Sequence, residues 1–300
     1  MAVHLQALYF IVLLSVLPNL SVAQQSVYDH LPPKLIEGGA WQRMYLIPNI
    51  AKVSLRGLCV YNDDIVWASG TAGTIIRSFD QGRTWEGEQV KGAEELDFRD
   101  LHVIDPDTVV AMTSGTPARV YRTANRGESW ELVFDSTDPS VFLDSLSFLD
   151  ANFGLIMGDP IDGKLFLLQT IDGGKNWSWV EGTPQLEPGE AGFAASGTNM
   201  VVFSTDRIMI ALGGGTEGSE PAISRILLTD RSLREWQAVM TPIPRHESAG
   251  IFSVVMIDEL RGVAVGGDYK QPGLAQDHIA ITDDGGQTWA VPKSNELPTG

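Results

Sequence analysis

From residue 54 onward the chain is a succession of short apolar runs broken by small polar turns, with no sustained helical period. The first unit shows the pattern: "LRGLCVY", "DIVWASG", "GTIIRSF" and "TWEGEQV", separated by "NDD", "TAG" and "DQGR". Each run is short, rich in β-branched or aromatic residues and closed by turn formers, which predicts four consecutive antiparallel strands. Near the end "IFSVVMI", "GVAVGG", "HIAITD" and "TWAVPK" repeat the arrangement.

The turn between the third and fourth strands recurs as an octet: "SFDQGRTW" from Ser78 to Trp85, "TANRGESW" from Thr123 to Trp130, "TIDGGKNW" from Thr170 to Trp177 and "TDDGGQTW" from Thr282 to Trp289. A degraded copy, "TDRSLREW", keeps Thr229 and Trp236 but lacks the central glycine. The tryptophans fall at 85, 130, 177, 236 and 289, steps of 45, 47, 59 and 53 residues. A period of this size is that of a propeller blade, one small twisted sheet of about four strands. The chemistry of the octet is structural. Asp80, Asn125, Asp172 and Asp284 can accept hydrogen bonds from the amides of their own turn, and Gly82, Gly127, Gly174 and Gly286 can take positive φ. Each tryptophan has a large surface to bury.

These copies match the Asp-box, S/T-x-D/N-x-G-x-S/T-W, and the chain resembles the photosystem II stability and assembly factor-like group of exported bacterial propellers. Sialidase and sortilin propellers are more distantly similar. "MGDPIDGKLFLLQTIDGGKNW", "GEAGFAASGTN", "SAGIFSVV" and "AVGGDYKQPG" carry the likeness, from about residue 41 to the end. The resemblance implies an all-β β-propeller of four-stranded blades, five of them recognisable, at about 54–90, 98–134, 143–181, 190–240 and 250–293. It also implies that the box is a folding device, and that a ring closes by pairing an N-terminal strand into its last blade. "AWQRMYLI" at 40–47 fits that closing strand, so a ring of six or seven blades is expected in a complete chain, with this sequence truncated at its C terminus.

Composition narrows the functional classes. A chain of 300 residues with 43% hydrophobic and 20% charged residues can bury a core, and its 31 glycines suit turn-rich β structure. Residues 1–23 form an apolar run ending in small residues, which predicts a signal peptide, a linker over 24–40 and a propeller over 41–300. The expected location is therefore exported, periplasmic or extracellular, with no membrane insertion after cleavage. The net charge of −17 argues against nucleic acid as a partner. The single cysteine, Cys59, provides no disulfide framework and reads as a core residue.

Enzymatic signatures are sparse. Of a sialidase's Arg-Ile-Pro motif and arginine clamp only "FRD", Phe98 to Asp100, comes near, and Arg77, Arg99, Arg122 and Arg245 lie in no matching context. "GGGTEG" fits a dinucleotide fingerprint at Gly213, Gly215 and Gly218, but no helix follows to receive a pyrophosphate, so it reads as a hairpin of the fourth blade. His102, His246 and His278 have no metal-ligand spacing; no metal and no cofactor are expected. Glycosidase and oxidoreductase remain the alternatives to a scaffold. What is left is geometry. In a propeller the loops from second to third strand and from blade to blade share the face opposite the boxes, and loops on a rigid ring are where recognition concentrates. That face offers Asp159, Asp162, Glu190, Ser196, Asn199, Arg245, His246, Glu247, Ser248, Asp268, Tyr269 and Lys270 as candidate contacts for an extracytoplasmic protein client or a small polar ligand.

Overall fold

The computed structural model describes residues 53–193, 197–203, 206–216, 223–273 and 277–293; the stretches expected to be a signal peptide, a linker and a closing strand, together with Ser196, lie outside them. Five antiparallel sheets follow one another along the chain. The first is β1 (Leu55–Val60), β2 (Val66–Gly70), β3 (Thr74–Ser78) and β4 (Glu86–Gln89), and the second is β5 (Asp97–Val103), β6 (Val109–Ser114), β7 (Ala118–Thr123) and β8 (Glu131–Ser136). The third is β9 (Leu143–Phe148), β10 (Gly154–Ile161), β11 (Lys164–Thr170) and β12 (Ser178–Trp179). After β13 (Glu190–Ala191), the fourth comprises β14 (Met200–Phe203), β15 (Arg207–Ala211), β17 (Ile223–Asp230) and β18 (Gln237–Pro244). The fifth, β19 (Ala249–Met256), β20 (Gly262–Asp268) and β21 (Ile279–Thr282), also recruits β13 and β16 (Gly213–Gly214). "GGGTEG" and Glu190 were expected in the fourth blade. Instead Gly213 and Gly214 pair with Ala191 and Glu190, and Gly213 pairs with Gly250, so these two glycines extend the fifth sheet.

The first strand of each sheet packs on that of the next, β1 on β5, β5 on β9, β9 on β14 and β14 on β19, as in propeller blades around a channel. The second strands separate the cores by their pleat, since alternate residues point to opposite faces. In β10, Leu155 and Met157 enter the core shared with the fourth blade, whereas Ile156 enters the one shared with the second. In β15, Ile208 and Ile210 face back toward the third blade and Met209 and Ala211 forward to the fifth. These strands therefore read as near-continuous apolar runs. Complete burial of each Leu, Ile or Met contributes about 1.5–3 kcal/mol relative to exposure.

The octets are closed networks. Ser78 Oγ accepts the Gly82 N–H at 2.8 Å and donates to Asp80 Oδ1 at 2.9 Å. Asp80 in turn accepts the Thr84 N–H at 2.8 Å and the Thr84 hydroxyl at 2.7 Å. The same bonds recur at Thr170, Asp172, Gly174 and Asn176, and at Thr282, Asp284, Gly286 and Thr288. Thr123, Asn125, Gly127 and Ser129 form the amide version. The indoles of Trp85 and Trp177 donate to the carbonyls of Gly82 and Gly174. Both the fourth and fifth positions take positive φ, including Gln81 at 69° and Arg126 at 59°. In the degraded box Leu233 is forced to a φ of 54°, and the third position is Arg231, which reaches Asp150 of the preceding blade at 2.7 Å. That copy exchanges an internal carboxylate for a tie between blades.

The three later intact boxes also dock on the blade before them, at Gly127, Gly174 and Gly286. A Cβ on Gly174 would lie 2.7 Å from Val110 Cγ2, and one on Gly286 would lie 2.5 Å from Met209 Cε. Arg122 and Arg207 donate across the same boundaries to the carbonyls of Gly173 and Gly285, both at 2.8 Å. Side-chain and backbone bonds from Thr84 hold the Asp80 carboxyl at about 2. A depressed carboxylate contributes stability that is present above its unfolded pKa of ~3.9 and is lost as pH falls through the folded value. Asp80→Ala is expected to lower the thermal midpoint at neutral pH and to lose that advantage near pH 2, which unfolding scans at the two pH values will measure. An equal loss at both would tie the effect to packing instead.

Candidate functional site

The backbone separates two faces. In four blades the amide of the fourth box residue donates to the turn between first and second strands: Gln81 to Asp64, Arg126 to Asp107, Gly173 to Asn152 and Gly285 to Leu260, at 2.8–3.1 Å. Boxes and first turns thus share one face. At the other ends of the strands the second turns bond to the connections between blades, as in Gly73 to Leu96 and Leu186 to Gly163, both at 2.8 Å.

On this second face the channel-lining strands break register at equivalent places. In β5 Phe98 pairs with Thr113 and Asp100 with Met112, which leaves Arg99 as an extra residue. In β9 Leu143 pairs with Gly158 and Ser145 with Met157, leaving Asp144. In β19 the extra residue is Phe252, between Ile251 and Ser253, and in β1 the break falls at Arg56 and Gly57. A bulge re-aims a side chain and is a common device beside functional sites. Here the bulges recur near the starts of the first strands of four sheets, a ring of bulges in which Asp100 and Ser145 follow directly after two of them.

The ring's electrostatics are unusual. Asp144 is fully buried, and among the described residues neither of its oxygens has a hydrogen-bond partner. Burial, reinforced by the charge of Asp159 and opposed by Arg99, pushes its carboxyl up to about 8. Asp100 is raised to about 7 by burial, although its oxygens accept the amides of Leu101 and Leu146 at 2.9 Å. Arg99 lies over the Phe142 ring at 5.8 Å. Asp159 is exposed at the end of β10, where partial desolvation, opposed by Arg99, raises its carboxyl. Asp162 occupies the adjoining hairpin turn with a φ of 52°.

The expected contacts divide into two groups. His246, Glu247, Ser248, Asp268, Tyr269 and Lys270 come together. Ser248 Oγ donates to Asp268 Oδ1 at 2.7 Å, the Lys270 amide donates to the same oxygen at 2.9 Å, and His246 Nε2 lies 3.3 Å from Oδ2. Because the serine hydroxyl bonds the carboxylate, and only the Ser248 backbone N–H donates to the imidazole, at 3.4 Å, this is no nucleophile–base pair. Desolvation opposes ionisation of Asp268, but the Ser248 and Lys270 bonds prevail and hold it below the usual range. Lys270 pairs with Glu247 at 2.7 Å, both side chains exposed. Tyr269 is 58% exposed and meets the edge of Phe193, which stacks edge-on against Phe252 at 5.2 Å. Asn199 Nδ2 donates to the Phe193 carbonyl at 3.1 Å. An aromatic path therefore leads from exposed Tyr269 to the bulge ring.

Glu190 and Arg245, read from the sequence as surface contacts, are buried. Arg225 grips the Glu190 carboxylate through two bonds of 2.8 and 2.6 Å, and Arg245 Nη1 lies 3.5 Å away. A carboxylate on β13 facing arginines on β17 and after β18 joins the fourth and fifth sheets, which is a structural task. The ring residues Arg99, Asp100 and Asp144 were not among the expected contacts. A cleft of about 320 Å³ beside the degraded box, lined by Arg207, Asp230, Glu235 and Trp236, opens on the box side. None of those four side chains carries a buried polar atom without a partner, unlike the ring.

No family model matches the chain, and neither does any curated protein. Solved structures do. A GH74 xyloglucanase from Xanthomonas campestris is 18% identical over 79% of this chain, with a TM-score of 0.54, and the chain spans 38% of that enzyme. YCF48 from Cyanidioschyzon merolae is 16% identical over 84% of this chain and 88% of its own, with a TM-score of 0.43. A structure of YCF48 bound to a D1 peptide is 14% identical over 78% and 80%, with a TM-score of 0.41. The chain is an all-β propeller. At these identities the likeness concerns the fold alone, so the chemistry of the channel mouth has to be read from this chain's own residues.

Proposed function

We propose that the protein is an exported, non-enzymatic binding scaffold that recognises a protein client or a small polar ligand on the face opposite the Asp-boxes. The observation that carries this reading is the run of rings from exposed Tyr269 through Phe193 to Phe252, itself a bulge residue, on the face where the bulges at Arg99 and Asp144 also lie. Aromatic anchors beside a few fixed polar groups are the usual make-up of a recognition surface. The sequence likeness to assembly factor-like propellers agrees with it.

Capture experiments with the purified chain in periplasmic extract test the proposal. Tyr269→Ala and Arg99→Ala are expected to reduce partner recovery severalfold, and Tyr269→Ala to leave thermal stability unchanged. Recovery indifferent to both would refute the assignment of this face. A second reading, glycoside hydrolysis, is favoured by one feature: Asp144 is an acid held protonated near neutral pH with a second carboxylate, Asp159, close enough to shift it. Steady turnover of xyloglucan or an aryl glycoside, lost in Asp144→Asn, would replace the scaffold with that enzyme.

A further inference from the structure

The degraded box differs from the others in what its seventh residue does. In the intact boxes that side chain closes the turn by bonding to the third: Thr84 to Asp80, Ser129 to Asn125, Asn176 to Asp172 and Thr288 to Asp284, at 2.6–3.0 Å. In the degraded copy the third residue is Arg231, which pairs instead with Asp150 of the preceding blade, and the seventh is Glu235. The Glu235 carbonyl accepts the Thr229 hydroxyl at 2.7 Å, but among the described residues no hydrogen bond or ion pair holds its carboxylate. A turn residue has become a wall. Glu235 lines the cleft of about 320 Å³ beside the box, together with Arg207, Asp230, Trp236, Gln237 and Gln287.

Strand register and a contact between blades bring these groups together. Arg207 on β15 stands directly opposite Asp230 on β17, and Gln237 on β18 stands opposite Leu228 on β17. Gln287, from the box of the fifth blade, accepts the Gln237 amide at 3.3 Å. The Trp236 indole N–H donates to the Leu233 carbonyl at 3.2 Å, so the polar edge of the ring is satisfied and its plane is fixed. Asp230, Glu235, Gln237 and Gln287 are exposed, which leaves the cleft open to a ligand from solvent. Its volume lies at the lower end of the ~300–1,000 Å³ usual for small-molecule sites.

The lining selects among ligand classes. An anion meets two carboxylates against one guanidinium, and that guanidinium already donates to the Gly285 carbonyl. A cation meets the same guanidinium. An apolar ligand would strip water from polar side chains that it cannot bond. A neutral ligand with several hydroxyls suits them all, because each hydroxyl donates to a carboxylate or glutamine carbonyl and accepts from Arg207 or a glutamine amide. Hydroxyls set around a saturated ring leave C–H groups on its faces, and the Trp236 indole supplies the π-surface that such groups contact favourably.

We propose that the cleft between the degraded box and the fifth blade binds a single neutral pyranose ring of a saccharide, with Trp236 against its C–H face and the charged and amide side chains bonded to its hydroxyls. The site lies on the box face and does not depend on the reading of the opposite face as the client surface.

The test is a ligand-observed NMR titration of the full chain with the methyl glycosides of glucose, galactose, mannose and xylose. Glycerol, which has hydroxyls but no ring face, and alanine, a zwitterion, serve as controls. Saturable binding of at least one glycoside is expected, about tenfold tighter than either control. Glu235→Ala and Gln287→Ala remove exposed side chains, one unbonded and one bonded only to Gln237 among the described residues, so the fold is expected to tolerate both. Each variant should weaken glycoside binding about tenfold, while Tyr269→Ala on the far face leaves it unchanged. No saturable binding of any of the glycosides, a control that binds as tightly, binding indifferent to either cleft variant, or loss of binding in Tyr269→Ala would each overturn the saccharide site. Glycoside binding with partner capture insensitive to Tyr269→Ala would sink the scaffold reading alone, and the reverse pattern would sink the saccharide site alone.

Discussion

Gly174→Ala is expected to destabilise the protein by about 2–5 kcal/mol, although it adds a single methyl group. Two effects combine. Gly174 has a φ of 79°, a left-handed conformation that costs a residue with a Cβ about 1–2 kcal/mol. The new Cβ would also stand 2.7 Å from Val110 Cγ2 in the preceding blade, inside a core where overpacking costs about 1–3 kcal/mol. For a chain of this size such a loss lowers the thermal midpoint by about 10 °C. Gly182→Ala is the matched control: its φ is 77°, but nothing lies within 4 Å of the Cβ position, so only the backbone cost applies. Calorimetric scans of the two variants separate conformational strain from contact between blades. Equal losses would show that the box glycine serves its own turn alone and does not seat one blade on another.

What could be read in advance follows the range of the interactions involved. The octets were legible because their bonds are local: Ser78, Asp80, Gly82 and Thr84 satisfy one another within a single turn. The strands of the first and fifth blades were legible because they alternate turn formers with β-branched runs. The burial of Arg245 was not, since a charged residue between Pro244 and His246 looks like a loop contact until Glu190, far upstream, is found facing it. For the same reason Glu190 and Ala191 gave no sign of joining the fifth sheet through Gly213 and Gly214. The bulge ring left a faint trace. "LRGL", "FRDL", "LDSL" and "IFSV" stand at corresponding places in four units, an apolar residue, the bulge, a small or polar residue and another apolar one. Aligning the units by their boxes would have exposed it. Arg, Asp and Phe share no chemistry that a motif search could follow, and "FRD" invited comparison with an unrelated arginine motif.

The ring also sets how stability responds to pH, and Asp144→Asn isolates its part. The folded-state values of Asp100 and Asp144, about 7 and about 8, lie above the ~3.9 of an unfolded aspartate. Between these limits the native protein holds protons that the unfolded chain has released, so stability falls as pH rises, by up to about 1.4 kcal/mol per pH unit for each group. The contribution is complete below about pH 4 and exhausted above the folded values. The box carboxylates act in the opposite sense, because Asp80 and Asp284, held at about 2, lose their contribution as pH falls below the unfolded value. Stability is therefore expected to peak on the acid side of neutrality. Asp144→Asn replaces the protonated acid with a neutral group of the same shape, and since neither Asp144 oxygen accepts a bond from the described residues, the change breaks none. The variant should match the parent below about pH 4, exceed it increasingly as pH rises toward 8, and show a shallower decline in denaturant titrations across that range. Asp100→Asn should behave differently. Its two oxygens each receive a backbone N–H, from Leu101 and Leu146, so an amide nitrogen would confront one of them and cost about 1–3 kcal/mol at every pH. An undiminished decline in Asp144→Asn would mean that the Asp144 carboxyl is already ionised in the folded protein and that other groups set the slope.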